Sequence, residues 1–242
     1  MSAPDARAPD VPRRAGAPSP PIDAAPVRER LAALRQRIEH GAGGRRVAVV
    51  AVTKGFGAQA VDAAIGAGLS EVGENYASEL VTKAASGAGG ADVRWHFIGG
   101  LQRNKIPALA PYVWLWQSVD RPRVAHGIAD HVPGAAVLVQ VNLTGEPRRS
   151  GCAWADVPAL VEAARASGLD VRGLMGVGPG GPPESARPAF AALASLAGGL
   201  ALPEVSMGMS GDLDVAVQEG STMVRIGTAL FGERPRPSDQ RR

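Results

Sequence analysis

"VAVVAVTKGF", residues 47–56, decides how the rest of the chain is read. Its first seven residues, nearly all Val and Ala, have the pattern of a buried strand, and the strand stops at a lysine. That residue, Lys54, is one of only three lysines, with Lys83 and Lys105, in a chain whose Lys and Arg total 26. A lysine kept against an arginine background is a candidate for use as an amine.

Working outward, the chain alternates. Upstream, "VRERLAALRQRIE" (27–39) places Val27, Leu31, Leu34 and Ile38 at helical spacing. Downstream, helical stretches separate seven further apolar runs: 69–75, 94–99, 113–119, 135–143, 170–177, 203–209 and 222–228. Eight strands alternating with helices predict a parallel α/β fold, and the number eight favours a closed (β/α)8 TIM-type barrel. An open doubly wound sheet would carry a glycine-rich fingerprint after its first strand, and "TKGFGA" (53–58) does not match GxGxxG. The extra N-terminal helix would cover the seam between strands eight and one, where only a short turn, "ALFGE" (229–233), follows the last strand.

The flanks differ in character. Residues 1–21 are Pro- and Ala-rich and read as a disordered tail, residues 22–232 as the barrel, and residues 233–242 as a second disordered tail. An apolar fraction of 45% is ample for one core, and the span leaves no room for a second β-domain. The net charge of +3 is spread over scattered Arg pairs, so nothing points to nucleic acid. A single cysteine, Cys152, excludes an internal disulfide and Cys-rich metal sites. No signal peptide and no membrane-length apolar run is present, so the expected location is the cytoplasm.

In such a barrel the chemistry sits at the C-terminal ends of the strands. There the sequence places Lys54, Glu74 and Asn75, His96, Ser118 and Asp120, Asn142, Met175, Ser210, Arg225, Gly227 and Thr228. Strands one and eight are neighbours in a closed barrel, so Lys54 and Arg225 should approach each other. "SMGMSGD" (206–212) and "RIGTALFG" (225–232) offer backbone amides and hydroxyls where loops after strands seven and eight enter helices, a recurrent phosphate site. An amine, a phosphate cradle and an arginine are the parts of a pyridoxal 5′-phosphate (PLP) site. Plainer readings stand beside this one. Lys54 also reads as a solvated charge, Ser210 as the N-cap of a helix at 211–219, Gly227 as a packing residue, and His96 as a satisfied core histidine. Asn75 and Asn142 also read as turn residues, Met207 and Met209 as packing, and Glu79 with Lys83 as an exposed helical pair.

The strings "AVTKGF", "VGENYASEL", "WHFIGGLQRNK", "VLVQVNLTGEPRRSG", "VRGLMGV", "SMGMSGDLDVAV" and "GSTMVRIGTALFG" carry a resemblance to the pyridoxal phosphate homeostasis protein family. They occur in that family's order across residues 47–232. The resemblance implies a monomeric barrel similar to the N-terminal domain of alanine racemase. It implies PLP held as a Schiff base, without established turnover, for vitamin B6 homeostasis and for delivery to PLP-dependent apo-enzymes. By position, Lys54 would hold the aldehyde carbon, Asn75 and His96 would line the ring, Ser210, Gly227 and Thr228 would bind phosphate, and Arg225 would face the pyridine nitrogen. Thr53, "QSVD" (117–120) and the arginines of "GEPRRSG" (145–151) depart from the family pattern. The competing reading is a racemase- or decarboxylase-like enzyme, which would need a second domain and an opposing tyrosine. A barrel for another phosphorylated metabolite is the third.

Overall fold

The first strand is flanked by the second and the eighth. In a computed structural model describing residues 22–234, β1 (Ala48–Val52) pairs in parallel with β2 (Glu71–Glu74) and with β8 (Met223–Ile226). Between them run β3 (Arg94–Phe97), β4 (Val113–Val119), β5 (Ala136–Val141), β6 (Asp170–Gly176) and β7 (Glu204–Ser206), closing a parallel barrel in sequential order. The sequence-derived count and closure therefore hold. Of the two stretches read as tails, 1–21 and 233–242, residues 1–21 and 235–242 lie outside the described residues.

One helix precedes β1 and the others follow the strands. They are α1 (Ala24–Ala42), α2 (Gln59–Gly66), α3 (Ala77–Ala85), α4 (Ile106–Leu109) and α5 (Pro122–Ala129), then α6 (Val157–Ala166), α7 (Arg187–Gly199), α8 (Leu213–Gln218) and α9 (Thr228–Phe231). Strands this apolar suit a sheet whose outer face lies under helices and whose inner face fills the barrel. β5 shows it best, with all six residues buried. Val50, Leu115, Leu138, Met175 and Met223 form the apolar part of the interior. Gly73 on β2 keeps that interior closed: a β-carbon there would lie 3.0 Å from Val50 Cγ1 and 3.2 Å from Ile98 Cδ1.

The helix before β1 seals the seam. Asp23 caps α1 by accepting from Ala25 N at 3.0 Å, and Gly43 ends it in the left-handed region at φ 57°. The buried stripe of Val27, Leu31, Leu34 and Ile38 packs with Val49, Ala51, Val224, Ile226 and Leu230, and α1 touches α2, α8 and α9. Each of those four side chains contributes on the order of 2 kcal/mol of apolar burial. A second clamp is Arg30, whose Nη1 donates to the Leu230 carbonyl at 2.9 Å, tying α1 to the short helix after β8. Closing this seam brings the ends of β8 and β1 side by side, and the candidate site sits there.

Candidate functional site

Lys54 leaves the barrel two residues past the end of β1 and is partly exposed. Its loop is fixed from below. Gly55 N, at φ 76°, donates to Glu79 Oε2 at 2.7 Å. Lys83 Nζ donates to the Thr53 carbonyl at 2.8 Å and to Glu74 Oε1 at 2.5 Å, and Thr53 Oγ1 donates to the same Glu74 oxygen at 2.6 Å. The expected exposed Glu79–Lys83 pair is thus corrected. Lys83 is only 4% exposed, and its partners are Glu74 and the backbone beside Lys54, with Glu79 further off at 3.6 Å. The i,i+4 spacing was visible in sequence. That this face of α3 turns onto β1 and β2 was not. Burial pushes the Glu74 carboxyl up, while the Lys83 ammonium and the Thr53 hydroxyl favour its charged form.

Burial also lowers the pKa of Lys54, and the positive charges of Arg234 and Arg225 lower it further, against smaller opposing effects of Glu74 and Glu79. A lowered amine pKa raises the neutral fraction at physiological pH, and the neutral amine is the nucleophile. Arg234 lies two residues past the expected end of the barrel domain. A β-carbon on Gly55 would meet its Cδ at 3.2 Å, so this arginine lies over the lysine loop.

Arg225 comes from β8, where it pairs with Val50 of β1, and it is 5% exposed. Its Nη1 donates to the Ser206 carbonyl at 2.8 Å and to Ser206 Oγ at 2.7 Å, and its Nη2 to the Gly176 carbonyl at 2.8 Å. These are strand-end groups of β7 and β6, so the guanidinium reaches across the C-terminal rim. Burial holds its pKa down to about 10, with Asp212 opposing, so it remains a cation at neutral pH among neutral acceptors.

The loops after β7 and β8 meet at one hydrogen bond, from Ala229 N to Ser210 Oγ at 3.2 Å. Ser210 is therefore not the helix cap considered from sequence. α8 starts at Leu213, its N-cap residue is Asp212, and Asp212 Oδ1 accepts from Met209 N at 2.6 Å. Gly227 allows a close approach: a β-carbon there would sit 3.2 Å from the Val52 carbonyl oxygen, which would have to give by a few tenths of an ångström. Thr228, exposed, opens α9. Hydroxyl, glycine and amide lie together at the rim, as a phosphate cradle needs.

Asn75 follows β2 and is partly exposed, and its carbonyl is so close to Gly99 that a β-carbon on that glycine would lie 1.8 Å away. Asn142 instead closes its own turn, its Oδ1 accepting from Thr144 N at 3.2 Å and Gly145 N at 3.1 Å. His96, expected to line the ring or else to be a satisfied core histidine, lies wholly buried inside the barrel. Its Nδ1 accepts from Gln117 Nε2 at 2.6 Å, and its Nε2 is 2.8 Å from Oε2 of Glu71, the first residue of β2. That contact is off the line of a hydrogen bond. Burial lowers the pKa of His96, which favours neutral imidazole, with Glu71 acting in the opposite direction. The inward position on β3 was legible. The tilt of the ring toward the strand starts was not.

The family model for the N-terminal domain of alanine racemase matches residues 22–235. The pyridoxal phosphate homeostasis protein of Pseudomonas aeruginosa is 41% identical over 221 residues, covering 86% of this chain and 96% of that protein. The protein of the same name from Deinococcus radiodurans is 42% identical over 207 residues, covering 83% and 97%. The chain belongs to the pyridoxal phosphate homeostasis protein family. A solved neighbour is PipY of Synechococcus elongatus PCC7942 with PLP bound, at TM-score 0.76 and 32% identity over 85% of this chain and 100% of that one. Alanine racemase from Corynebacterium glutamicum, at 18% identity and TM-score 0.67, covers 90% of this chain and 63% of its own and shares the fold.

In this member of the pyridoxal phosphate homeostasis protein family, sequence reading missed four contributors near the site: Lys83, Gln117, Ser206 and Arg234. Gln117 and Ser206 did leave a signal, as polar residues inside otherwise apolar strands, where an unpaired polar group is costly. Among the described residues, no helix is long and apolar enough to cross a membrane, and no group of three His, Cys, Asp or Glu side chains forms a metal site.

Proposed function

We propose that this chain binds PLP at the C-terminal mouth of the barrel and serves PLP homeostasis, holding the cofactor and releasing it to apo-enzymes without turning over a substrate. It does so as a cytoplasmic monomer. The observation that carries this reading is the pairing of a pKa-lowered amine, Lys54, with the buried cation Arg225 on adjacent strands, beside the Ser210–Ala229 junction. The names of the relatives and the PLP bound to PipY support it. The donor set fits the cofactor: an amine for an aldehyde, a hydroxyl-and-amide rim for a phosphate, and a guanidinium for a ring nitrogen.

When bound, PLP would supply an aldehyde for a Schiff base with the Lys54 amine, with loss of water. Ser210, Gly227 and Thr228 would hold the phosphate, and Asn75 would lie on the ring side. Arg225 would face the ring nitrogen. Because an arginine holds its protons, it would leave that nitrogen unprotonated and the ring a weak electron sink, which suits storage over carbanion chemistry. Glu79 and Lys83 hold the Lys54 backbone in place.

Visible absorption of the purified protein with added PLP, before and after borohydride reduction, tests the reading. The expected result is an imine band that bleaches, with the reduced label mapping to the Lys54 peptide. No band, or a label on Lys83 or Lys105, would overturn it.

A further inference from the structure

The barrel interior is not uniformly apolar. A file of polar side chains crosses it from Arg225 at the rim to Glu71 at the strand starts. Arg225 Nη1 donates to Ser206 Oγ at 2.7 Å, Ser206 Oγ donates to Gln117 Oε1 at 2.7 Å, and Gln117 Nε2 donates to His96 Nδ1 at 2.6 Å. His96 Nε2 then stands 2.8 Å from Glu71 Oε2. Four of the five residues are buried side chains of 6% exposure or less, and Glu71 is partly buried at the base.

Each of the three hydrogen bonds in this file has one direction. The guanidinium can only donate, so Ser206 Oγ accepts from it and must spend its own proton on Gln117. With its amide oxygen occupied, Gln117 presents its NH2 to His96. His96 accepts at Nδ1 and so, when neutral, carries its proton at Nε2, toward a carboxylate. Glu71 is suited to that end. Burial pushes its carboxyl up, but the His96 contact and the Arg94 charge outweigh this and leave it below the usual carboxylate range. A cation at one end and an anion at the other thus set the orientation of three neutral groups between them. The hydrogen-bonded members from Arg225 to His96 hold one another in a single geometry, and the charge of Glu71 faces the far side of the imidazole across a contact that is not a hydrogen bond.

We propose that Gln117, acting through Ser206, is a positioning residue for Arg225, and that His96 and Glu71 anchor it from the base of the barrel. This rests on the reading that Arg225 faces the cofactor. Without the file, the guanidinium keeps only backbone carbonyls at its outer edge and is free to tilt off the ring nitrogen. The file does no chemistry; it sets where the donor points.

The test compares wild type, Gln117→Met, Arg225→Met and the double variant, with Gln117→His as the conservative rescue because a neutral imidazole keeps one donor and one acceptor. In the PLP-free protein, nitrogen-15 spectra should report the Nε2–H tautomer of His96, lost or mixed in Gln117→Met. On adding PLP, Gln117→Met should weaken binding roughly fivefold and displace the imine band, as expected for losing a buried hydrogen bond. Gln117→His should restore both. The double variant should match Arg225→Met alone, since non-additivity marks action through the same group. A Gln117→Met protein with altered His96 tautomer but wild-type affinity and band would overturn the proposal, as would fully additive effects. If Gln117→Met does not fold, Ser206→Ala cuts the file one link nearer Arg225 and is read the same way. A wild-type protein that forms no imine would instead overturn the PLP reading, and this inference with it.

Discussion

Lys83 Nζ and the carbonyl oxygen of Thr53 are 2.8 Å apart, and Thr53 is the residue directly before Lys54. One lysine of this chain therefore holds the backbone of another. The same ammonium meets Glu74 Oε1, which also takes the Thr53 hydroxyl, so side chains from the end of β1, from β2 and from α3 converge beside Lys54. Lys83→Met removes one partner of a buried pair and leaves Glu74 to be protonated or stranded. Stability should fall by about 3 kcal/mol. Urea denaturation measures this, and Glu74→Gln added to Lys83→Met should recover part of the loss. A single variant as stable as wild type would show the pair to be solvated.

The second prediction concerns pH. An amine attacks an aldehyde only in its neutral form, so under the proposed function the rate of imine formation rises with pH through the pKa of Lys54. That pKa is lowered first by burial and then by Arg234 and Arg225. Arg234→Ala removes one lowering influence. The pKa rises toward its ordinary value, and the midpoint of the pH–rate profile moves to higher pH. Stopped-flow absorbance with PLP across pH gives the profile. A midpoint that stays put, or moves down, would dissociate Arg234 from the lysine.

The fold was largely legible because barrel strands of this kind announce themselves. "VAVVAVT" and "AAVLVQVNL" are apolar on both faces, and only a sheet covered on both sides uses such runs. The placement of the rim residues was legible for a related reason: polar groups stand where apolar runs end, as Lys54, Asn75, Ser210 and Thr228 do. What sequence could not supply was rotation. Nothing in "YASELVTKAAS" tells that Lys83 turns inward under Thr53. Nothing in "RWHFIG" tells that the His96 ring tilts toward Glu71 and away from the rim. Those directions come from helix-on-sheet packing and from barrel register, which are long-range facts. Arg234 was missed because a Pro- and Arg-rich ending reads as solvated chain, yet the α9 turn brings it back over Gly55.

Gly99 offers a sharp steric test. A β-carbon there would lie 1.8 Å from the Asn75 carbonyl oxygen, and the Gly99 carbonyl accepts from Ser118 Oγ at 2.5 Å, which limits any retreat. Gly99→Ala must push the β2 end outward. The expected cost is on the order of 2–3 kcal/mol, typical of forced overpacking, with weakened PLP binding from the displaced Asn75. Thermal denaturation and a PLP titration report the two effects separately. An alanine variant with wild-type stability and affinity would mean that the strand end yields freely.

The last prediction separates the phosphate cradle from the rest of the site. Ser210 Oγ joins the loops after β7 and β8 by accepting from Ala229 N at 3.2 Å, so it both offers its own hydroxyl and holds an amide at the rim. Ser210→Ala removes the hydroxyl and lets the α9 turn drift. Affinity for PLP should fall roughly tenfold, the scale of one hydrogen bond to a charged group. Pyridoxal, which has the aldehyde and ring but no phosphate, should bind the variant and the wild type alike. Parallel absorbance titrations of both ligands decide the matter. Equal losses for the two ligands would place Ser210 against the ring or the lysine loop, and loss for neither would leave the phosphate to Thr228 and the backbone alone.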